Sequence, residues 1–246
     1  MAAESPPSLM ALWVYLAATP LLGLTLTLLV YHGAFVLYRR SGFHPLANPV
    51  PLAVAVLATL LWATGTPYAT YFEGAQFVHF LLGPATVALA VPLFEQMHRL
   101  RRLALPLLGA LVAGVVVTTV SAIGLAWALG ASRITLASLA PKSVTMPVAM
   151  GIAEKLGGLP SLTAVLVMAT GVSAALGARY LFDALRIREP AVRGFALGTI
   201  AHGIGTARAF QVSEEAGAFA GLAMGLSALF SALVLPWLAG GLLRVL

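Results

Sequence analysis

The 246-residue sequence contains no cysteine. Disulfides, thiolate metal sites and cysteine nucleophiles are therefore excluded. Aspartate is almost missing too, with Asp183 standing alone. Only 9% of residues are charged, whereas soluble domains carry roughly 25%, so a soluble fold is excluded. No polar segment is long enough to form a domain of its own, and residues 1–246 read as one membrane domain. Nucleophile, base and orienting groups do not assemble into a catalytic set. No histidine-rich or carboxylate spacing suggests a metal, and no cofactor is expected. An enzyme is not the reading.

What fills the chain is apolar: 60% of residues are hydrophobic and the mean hydropathy is +0.97. Runs near the roughly 20-residue length of a bilayer crossing recur along it. They are continuous, without the period-two alternation of a barrel strand. The fold class is an all-α polytopic membrane protein embedded in a lipid bilayer. The net charge of +6 sits in short connections between apolar runs, where the positive-inside rule expects it, and implies no nucleic-acid partner. The start, MAAESPPSLMALW, has no basic leader region and carries Glu4, so it is expected to be a retained first span.

The spans are expected at residues 9–38, 49–64, 75–94, 103–129, 159–182, 194–210 and 216–243, with a further segment at 134–156. GTPYATYFEGAQ, between the second and third, reads as a polar connection whose Tyr68, Tyr71 and Phe72 suit an interfacial belt. The third span is interrupted at Gly83 and Pro84. Gly217, Gly221 and Gly225 line the last span, which permits tight helix packing; the stripe serves a homodimer or packing within one chain equally well.

Loop charge decides how residues 134–156 run. Arg39, Arg40 and the cluster 99–102 place those loops in the cytoplasm and the N-terminus outside. If residues 134–156 cross once, the basic residues other than Lys142 divide 7 inside and 6 outside. If the segment enters and leaves on the outer face, they divide 10 and 3. Positive-inside favours the re-entrant course. The architecture is then about seven transmembrane helices plus one re-entrant segment. Spans two to four and the last three become an inverted repeat, each with an interrupted middle helix, at Gly83–Pro84 and at Gly203 to Gly205. Paired interruptions of this kind point to a transporter site.

The re-entrant segment, LAPKSVTMPVAMGIAEKLGG, holds Lys142, Ser143 and Thr145 between Pro141 and Pro147. Proline removes a backbone donor and breaks the helix, and an ammonium amid broken backbone at membrane depth requires polar company. Lys142 either snorkels or caps a helix end, or it serves as a cation for a carboxylate ligand or for Glu154. Ser143 and Thr145 serve either helix–helix hydrogen bonds or the same ligand. A shorter likeness, LGPATVALAVP, brings Thr86 into the comparison through a shared Leu-small-Pro-x-hydroxyl-Val pattern. AHGIGTARAF is the second focus: His202 is either a satisfied core histidine or, with Gly203, Gly205, Thr206 and Arg208, part of a small-anion site at a half-helix N-terminus. Glu95 and Glu154 lie near span ends, solvated there or carrying a coupled proton.

LGPATVALAVPLFEQ, APKSVTMPVAMGIAEKLGGLPSLTAVLV and RGFALGTIAHGIGTARAFQVSEEAGAFAGLAMGLS together resemble the LrgB/CidB family, in order from about residue 48 onward. Glu95 stands where the family often has a basic residue, Met146 where it often has threonine, and Ala201 where it often has serine. The resemblance implies a place in the bacterial cytoplasmic (inner) membrane and two functions. One is antiholin-like control of murein hydrolase export and autolysis, with a small holin-like partner of the LrgA/CidA type. The other is solute transport, because the plastid glycolate/glycerate translocator is similar to a fusion of that small partner with an LrgB-like half, and bacterial pairs are linked to pyruvate. Lys142, Ser143, Thr145, His202, Thr206 and Arg208 match a small organic anion bearing a hydroxyl or keto group. On that match, secondary transport of a monocarboxylate by alternating access is the leading expectation, with the antiholin-like role as the alternative.

Overall fold

The computed structural model describes residues 20–43, 47–81, 84, 87–88 and 90–246. Among these residues the secondary structure is helical throughout, and the chain is a polytopic α-helical membrane protein. Among the described residues four helices are long and apolar enough to cross a bilayer: Leu21–Arg40, Met97–Ala128, Pro160–Ala184 and Glu214–Val245. Gly83 and Thr86 lie outside the described residues. The chain divides into two compact units, residues 1–88 and 89–246.

The first unit contains α1 (Pro20–Arg40), α2 (Pro49–Thr64) and α3 (Tyr68–Phe80). The side chain of Asn48 accepts a hydrogen bond from the Val50 N–H at 3.0 Å, capping α2, and Gly65 ends that helix in the left-handed conformation at φ 64°, as a helix-terminating glycine does. Thr27 Oγ1 and the Tyr71 hydroxyl lie 2.7 Å apart, joining α1 to α3. The stretch expected as a polar connection is helical from Tyr68 onward. Its aromatic residues stack at one-turn spacing, with the Tyr68 and Phe72 rings 5.7 Å apart, so the polar content reflects a helix surface.

The second unit contains α4 (Ala90–Glu95), α5 (Met97–Ala128), α6 (Arg133–Leu139), α7 (Met146–Lys155), α8 (Pro160–Ala184), α9 (Pro190–Val212) and α10 (Glu214–Val245). Arg99, near the start of α5, forms ion pairs with Glu189 before α9 and Glu215 at the start of α10. These contacts gather three helix starts at one end of the unit, hereafter the arginine end. Ala126, Leu136, Ala137, Leu156 and Leu243 pack together at the opposite end. α5 and α10 therefore run from the arginine end to the opposite end, and α8 runs back. The principal core lies between them, with Leu111, Val115, Val144, Ala149, Val167, Phe219, Ala223 and Leu235 buried in one cluster.

Residues 133–158 form a re-entrant hairpin, as the loop charges predict. The chain leaves the opposite end, passes the buried Val144 and returns along α7, because an alanine Cβ at Gly158 would lie 2.7 Å from the Ser138 backbone nitrogen.

The segment expected to cross at 194–210 does not cross. An added Cβ at Gly194 would meet the Ala216 carbonyl oxygen and one at Gly198 the Ala220 carbonyl oxygen, each at 2.0 Å. Both numbers rise together, so the first limb of α9 runs parallel to α10. Further on, the Phe210 ring faces Gly217 and Thr206 contacts Met224, so the second limb runs antiparallel to α10. The chain reverses at His202, the one residue inside α9 with non-helical angles (φ 42°, ψ −133°). α9 is thus a second re-entrant hairpin, entering from and returning to the arginine end.

These two hairpins change the repeat that loop charge suggests. A hairpin from the opposite end followed by α8 is repeated, upside down, as a hairpin from the arginine end followed by α10. Arg99, Arg101, Arg102, Arg179, Arg186, Arg188 and Arg193 all fall at the arginine end, against Arg133, Lys155 and Arg244 at the other.

Candidate solute site

The first hairpin is built by its prolines. Pro141 cannot donate, and the chain beyond α6 closes with tight bonds, from Lys142 N to the Leu139 carbonyl at 3.1 Å and from Val144 N to the Pro141 carbonyl at 3.0 Å. Thr145 then turns extended (φ −56°, ψ 138°) as the N-cap of α7, and its side chain makes no capping bond. Pro147 follows in the first turn of α7, where its missing N–H costs no helical bond. The N–H groups that open α7 therefore receive no side-chain acceptor from their own cap.

The base of this hairpin is closed by Ser138, which the sequence reading passed over. Its hydroxyl accepts from the Leu159 N–H at 2.8 Å, and its carbonyl accepts from the Thr163 hydroxyl at 3.0 Å. A small hydroxyl residue nineteen positions before a Gly-Gly pair is the available sequence signal for such a crossing. At the tip, Pro141 and Val144 are buried while Lys142, Ser143 and Thr145 are half-buried. The Lys142 ammonium lies 3.5 Å from the Ser143 hydroxyl.

The second hairpin is built by glycines and by His202. Gly194 and Gly198 allow the outgoing limb to lie with its backbone against α10. Gly205 lets the returning limb fold onto the outgoing one, since a Cβ there would lie 2.6 Å from the Leu197 carbonyl oxygen and 2.6 Å from the Ala201 Cβ. His202 is 6% exposed. Its Nε2 lies 3.0 Å from the Val167 carbonyl oxygen, and its own carbonyl accepts from the Thr206 hydroxyl at 2.9 Å. An added Cβ at Gly203, the first residue of the returning limb, meets nothing within 4 Å.

The His202 tip reaches the middle of α8, and the first tip packs into the same core through Val144. The His202 ring touches the Val167 carbonyl and would collide with a side chain at Gly171. Val144 shares the core cluster of Val167. The residues expected to form the site are thus brought together in two groups. Lys142, Ser143 and Thr145 occupy one tip, and His202, Gly203 and Thr206 the other. Among the described residues, no hydrogen bond or ion pair joins the first group to His202 or Thr206. Gly205 is occupied in packing, and Arg208 sits on the returning limb six residues beyond the turn, about 9 Å along a helix. Arg208 is buried and its Nη1 donates to Gln211 Oε1 at 3.2 Å.

The carboxylates lie elsewhere. Glu154 is exposed near the base of the first hairpin, and Lys142 makes no ion pair with it. Glu95 is exposed at the end of α4. Pro84 is exposed in the first unit. Among the described residues no cluster of three or more His, Asp or Glu side chains has the grouping of a metal centre.

What the arrangement can do chemically follows from the two return limbs. α7 begins at one tip and residues 203–212 at the other, so two helix N-termini begin inside the unit from opposite directions. Each carries partial positive charge and unsatisfied N–H groups. Lys142 adds a full charge and Ser143, Thr145 and Thr206 add hydroxyls.

Comparison with known proteins places this sequence in a family. The model of the LrgB-like family matches residues 27–240. The chain is 35% identical over 211 residues to the uncharacterized protein YxaC of Bacillus subtilis (strain 168), covering 86% of this chain and 91% of that one. It is 35% identical over 218 residues to the uncharacterized protein YwbG of the same organism, covering 89% and 96%. It is 30% identical over 219 residues to the antiholin-like protein LrgB of Bacillus mycoides (strain KBAB4), covering 89% and 95%. No solved structure matches the chain.

Proposed function

The chain belongs to the LrgB-like family, and we propose that it works in the membrane as a secondary transporter of a small organic anion. The single observation that carries this reading is the pair of opposed hairpins, one entering beside α6 and α7 and the other turning back at His202 against Val167 of α8. Interrupted helices in inverted positions, with half-helix N-termini at mid-depth, are the arrangement by which transporters hold an anionic group. Lys142, Ser143 and Thr145 on one side, with His202, Gly203 and Thr206 on the other, supply the charge and hydroxyl contacts. The resemblance narrows the solute class to hydroxy- and keto-monocarboxylates of the glycolate, glycerate or pyruvate type. Positive-inside then sets the arginine end in the cytoplasm, in the cytoplasmic membrane of a bacterium with the N-terminus outside.

The names of the relatives favour a second reading more directly than the first. Antiholin-like proteins LrgB are similar over nearly the whole chain, and on that ground the chain regulates murein hydrolase export and autolysis with a small LrgA/CidA-type membrane partner. The transport reading rests on the hairpins and not on those names.

Uptake of labelled glycolate, glycerate and pyruvate into proteoliposomes, with and without the small partner, tests the choice. Flux that is lost in Lys142→Ala while the variant remains assembled supports transport. Absence of flux for all three solutes under a proton gradient, with an autolysis phenotype that survives Lys142→Ala, leaves the antiholin-like reading.

A further inference from the structure

A cavity of about 240 Å³ opens at the arginine end, between α8 and the two limbs of the α9 hairpin. Arg179, Arg188, Arg193 and Arg208 line it, beside the apolar walls of Phe182 and Leu197. The four cations come from different places: α8, the connection before α9, the outgoing limb and the returning limb. Their convergence follows from the hairpin, because only a returning limb brings Arg208 back to the level of Arg193.

Asp183 is shared by Arg179 and Arg193, so one carboxylate meets two of these charges. Asp183 accepts from Arg193 Nη2 at 2.5 Å and lies 3.8 Å from Arg179 Nε. Glu189 is engaged by Arg99, as is Glu215, and Glu214 stands exposed at the start of α10. Arg193 is held in place by a second bond, from Nε to the Ile187 carbonyl at 2.6 Å, and its guanidinium covers the Phe182 ring at 5.5 Å. Arg208 is only 9% exposed. Two of the guanidiniums are thus fixed in orientation, and Arg179 and Arg188 are exposed at the rim.

From this we infer that the cavity is a binding site for a phosphoryl group. A carboxylate is satisfied by one guanidinium fork, whereas a phosphoryl group presents more oxygens and more charge than one fork can match. Basic pockets between helices at the cytoplasmic ends of membrane proteins hold phosphate-bearing headgroups. The apolar wall formed by Phe182 and Leu197 adjoins the charged one, so the phosphoryl group belongs to a phospholipid headgroup or to a free phosphate. The site stands apart from the hairpin tips and does not depend on the transport reading.

The test uses the full chain in nanodiscs. One arm titrates inorganic phosphate against protein in phosphatidylcholine discs by calorimetry. The other measures retention of phosphatidylglycerol by native mass spectrometry after transfer from mixed discs. The double variant Arg179→Gln/Arg188→Gln, and Arg188→Gln alone, are compared with Arg101→Gln, which lies at the same end but not in the cavity wall. Wild type binds in at least one arm, the double variant binds roughly tenfold more weakly, and Arg101→Gln matches wild type. Binding in the phosphate arm identifies a free anion, and binding in the lipid arm a headgroup. No binding in either arm overturns the inference, as does unchanged binding by the double variant or equal loss in Arg101→Gln.

Discussion

His202 Nε2 lies 3.0 Å from the carbonyl oxygen of Val167, and this contact ties the turning point of the α9 hairpin to the middle of α8. His202 holds φ 42° and ψ −133°, a region where a side chain costs about 1–3 kcal/mol. The ring contact and the Thr206 bond to the His202 carbonyl oppose that cost. His202→Ala keeps the strained backbone and loses the ring, so it lowers stability by about 2 kcal/mol. His202→Gly loses the same ring but adopts the backbone freely. Thermal unfolding in detergent is expected to rank wild type above Gly and Gly above Ala. A Gly variant that melts below the Ala variant would remove the argument from strain.

Glycines in the second unit differ sharply in what they do, and substitution separates them. Gly194→Ala and Gly198→Ala each drive a Cβ to within 2.0 Å of a carbonyl oxygen on α10. Backbone atoms cannot yield as a flexible side chain does, so the cost exceeds the roughly 1–3 kcal/mol typical of overpacking. Gly203→Ala meets open space and lies in the first turn of a helical limb. Fluorescence-detected size exclusion is expected to show loss of the folded species for the first two and wild-type behaviour for the third. If Gly203→Ala also reduces solute uptake while it folds normally, its open face is where the ligand approaches.

Most of the framework was legible in the sequence because the signals were local. Composition dictated the bilayer, runs of apolar residues gave α5, α8 and α10, and the prolines at 141 and 147 marked a break that loop charge turned into a hairpin. The second hairpin was not legible for a physical reason. Residues 190–212 carry no internal proline, and the reversal depends on a single residue at positive φ, which only tertiary packing against α8 and α10 sustains. Read as a straight helix, the segment carries Arg208 about 9 Å onward from His202, away from the arginine cluster. Folded back, it sends Arg208 toward the arginine cluster. Ser138 escaped notice because its partners, Leu159 and Thr163, are more than twenty residues away.

Arg99 supplies a test of what holds the arginine end together. It pairs with Glu189 and Glu215 and its guanidinium lies 5.8 Å from the centre of the Phe219 ring. Its side chain is 40% exposed, so screening by water limits the gain. Arg99→Gln is expected to lower stability by about 1 kcal/mol at low ionic strength and by less in high salt. Melting curves at two salt concentrations read this directly. A loss that does not depend on salt would assign the role of Arg99 to packing on Phe219.

The hairpin in α9 makes a prediction about sidedness that a crossing helix cannot share. If residues 194–210 crossed the bilayer, the connection at 186–188 and Ser213 would lie on opposite faces. In the hairpin they lie on the same face, because both limbs meet at the arginine end. The natural absence of cysteine allows single introduced thiols to report without background. Arg186→Cys and Ser213→Cys are expected to react with an impermeant maleimide from one side of intact cells or oriented vesicles. Arg133→Cys and Gly157→Cys are expected to react from the other side, since the first hairpin also returns to where it began. Labelling of Ser213→Cys on the face opposite Arg186→Cys would mean that α9 spans. The inverted repeat and the arginine cavity would then fall together, because both require the chain to turn back at His202.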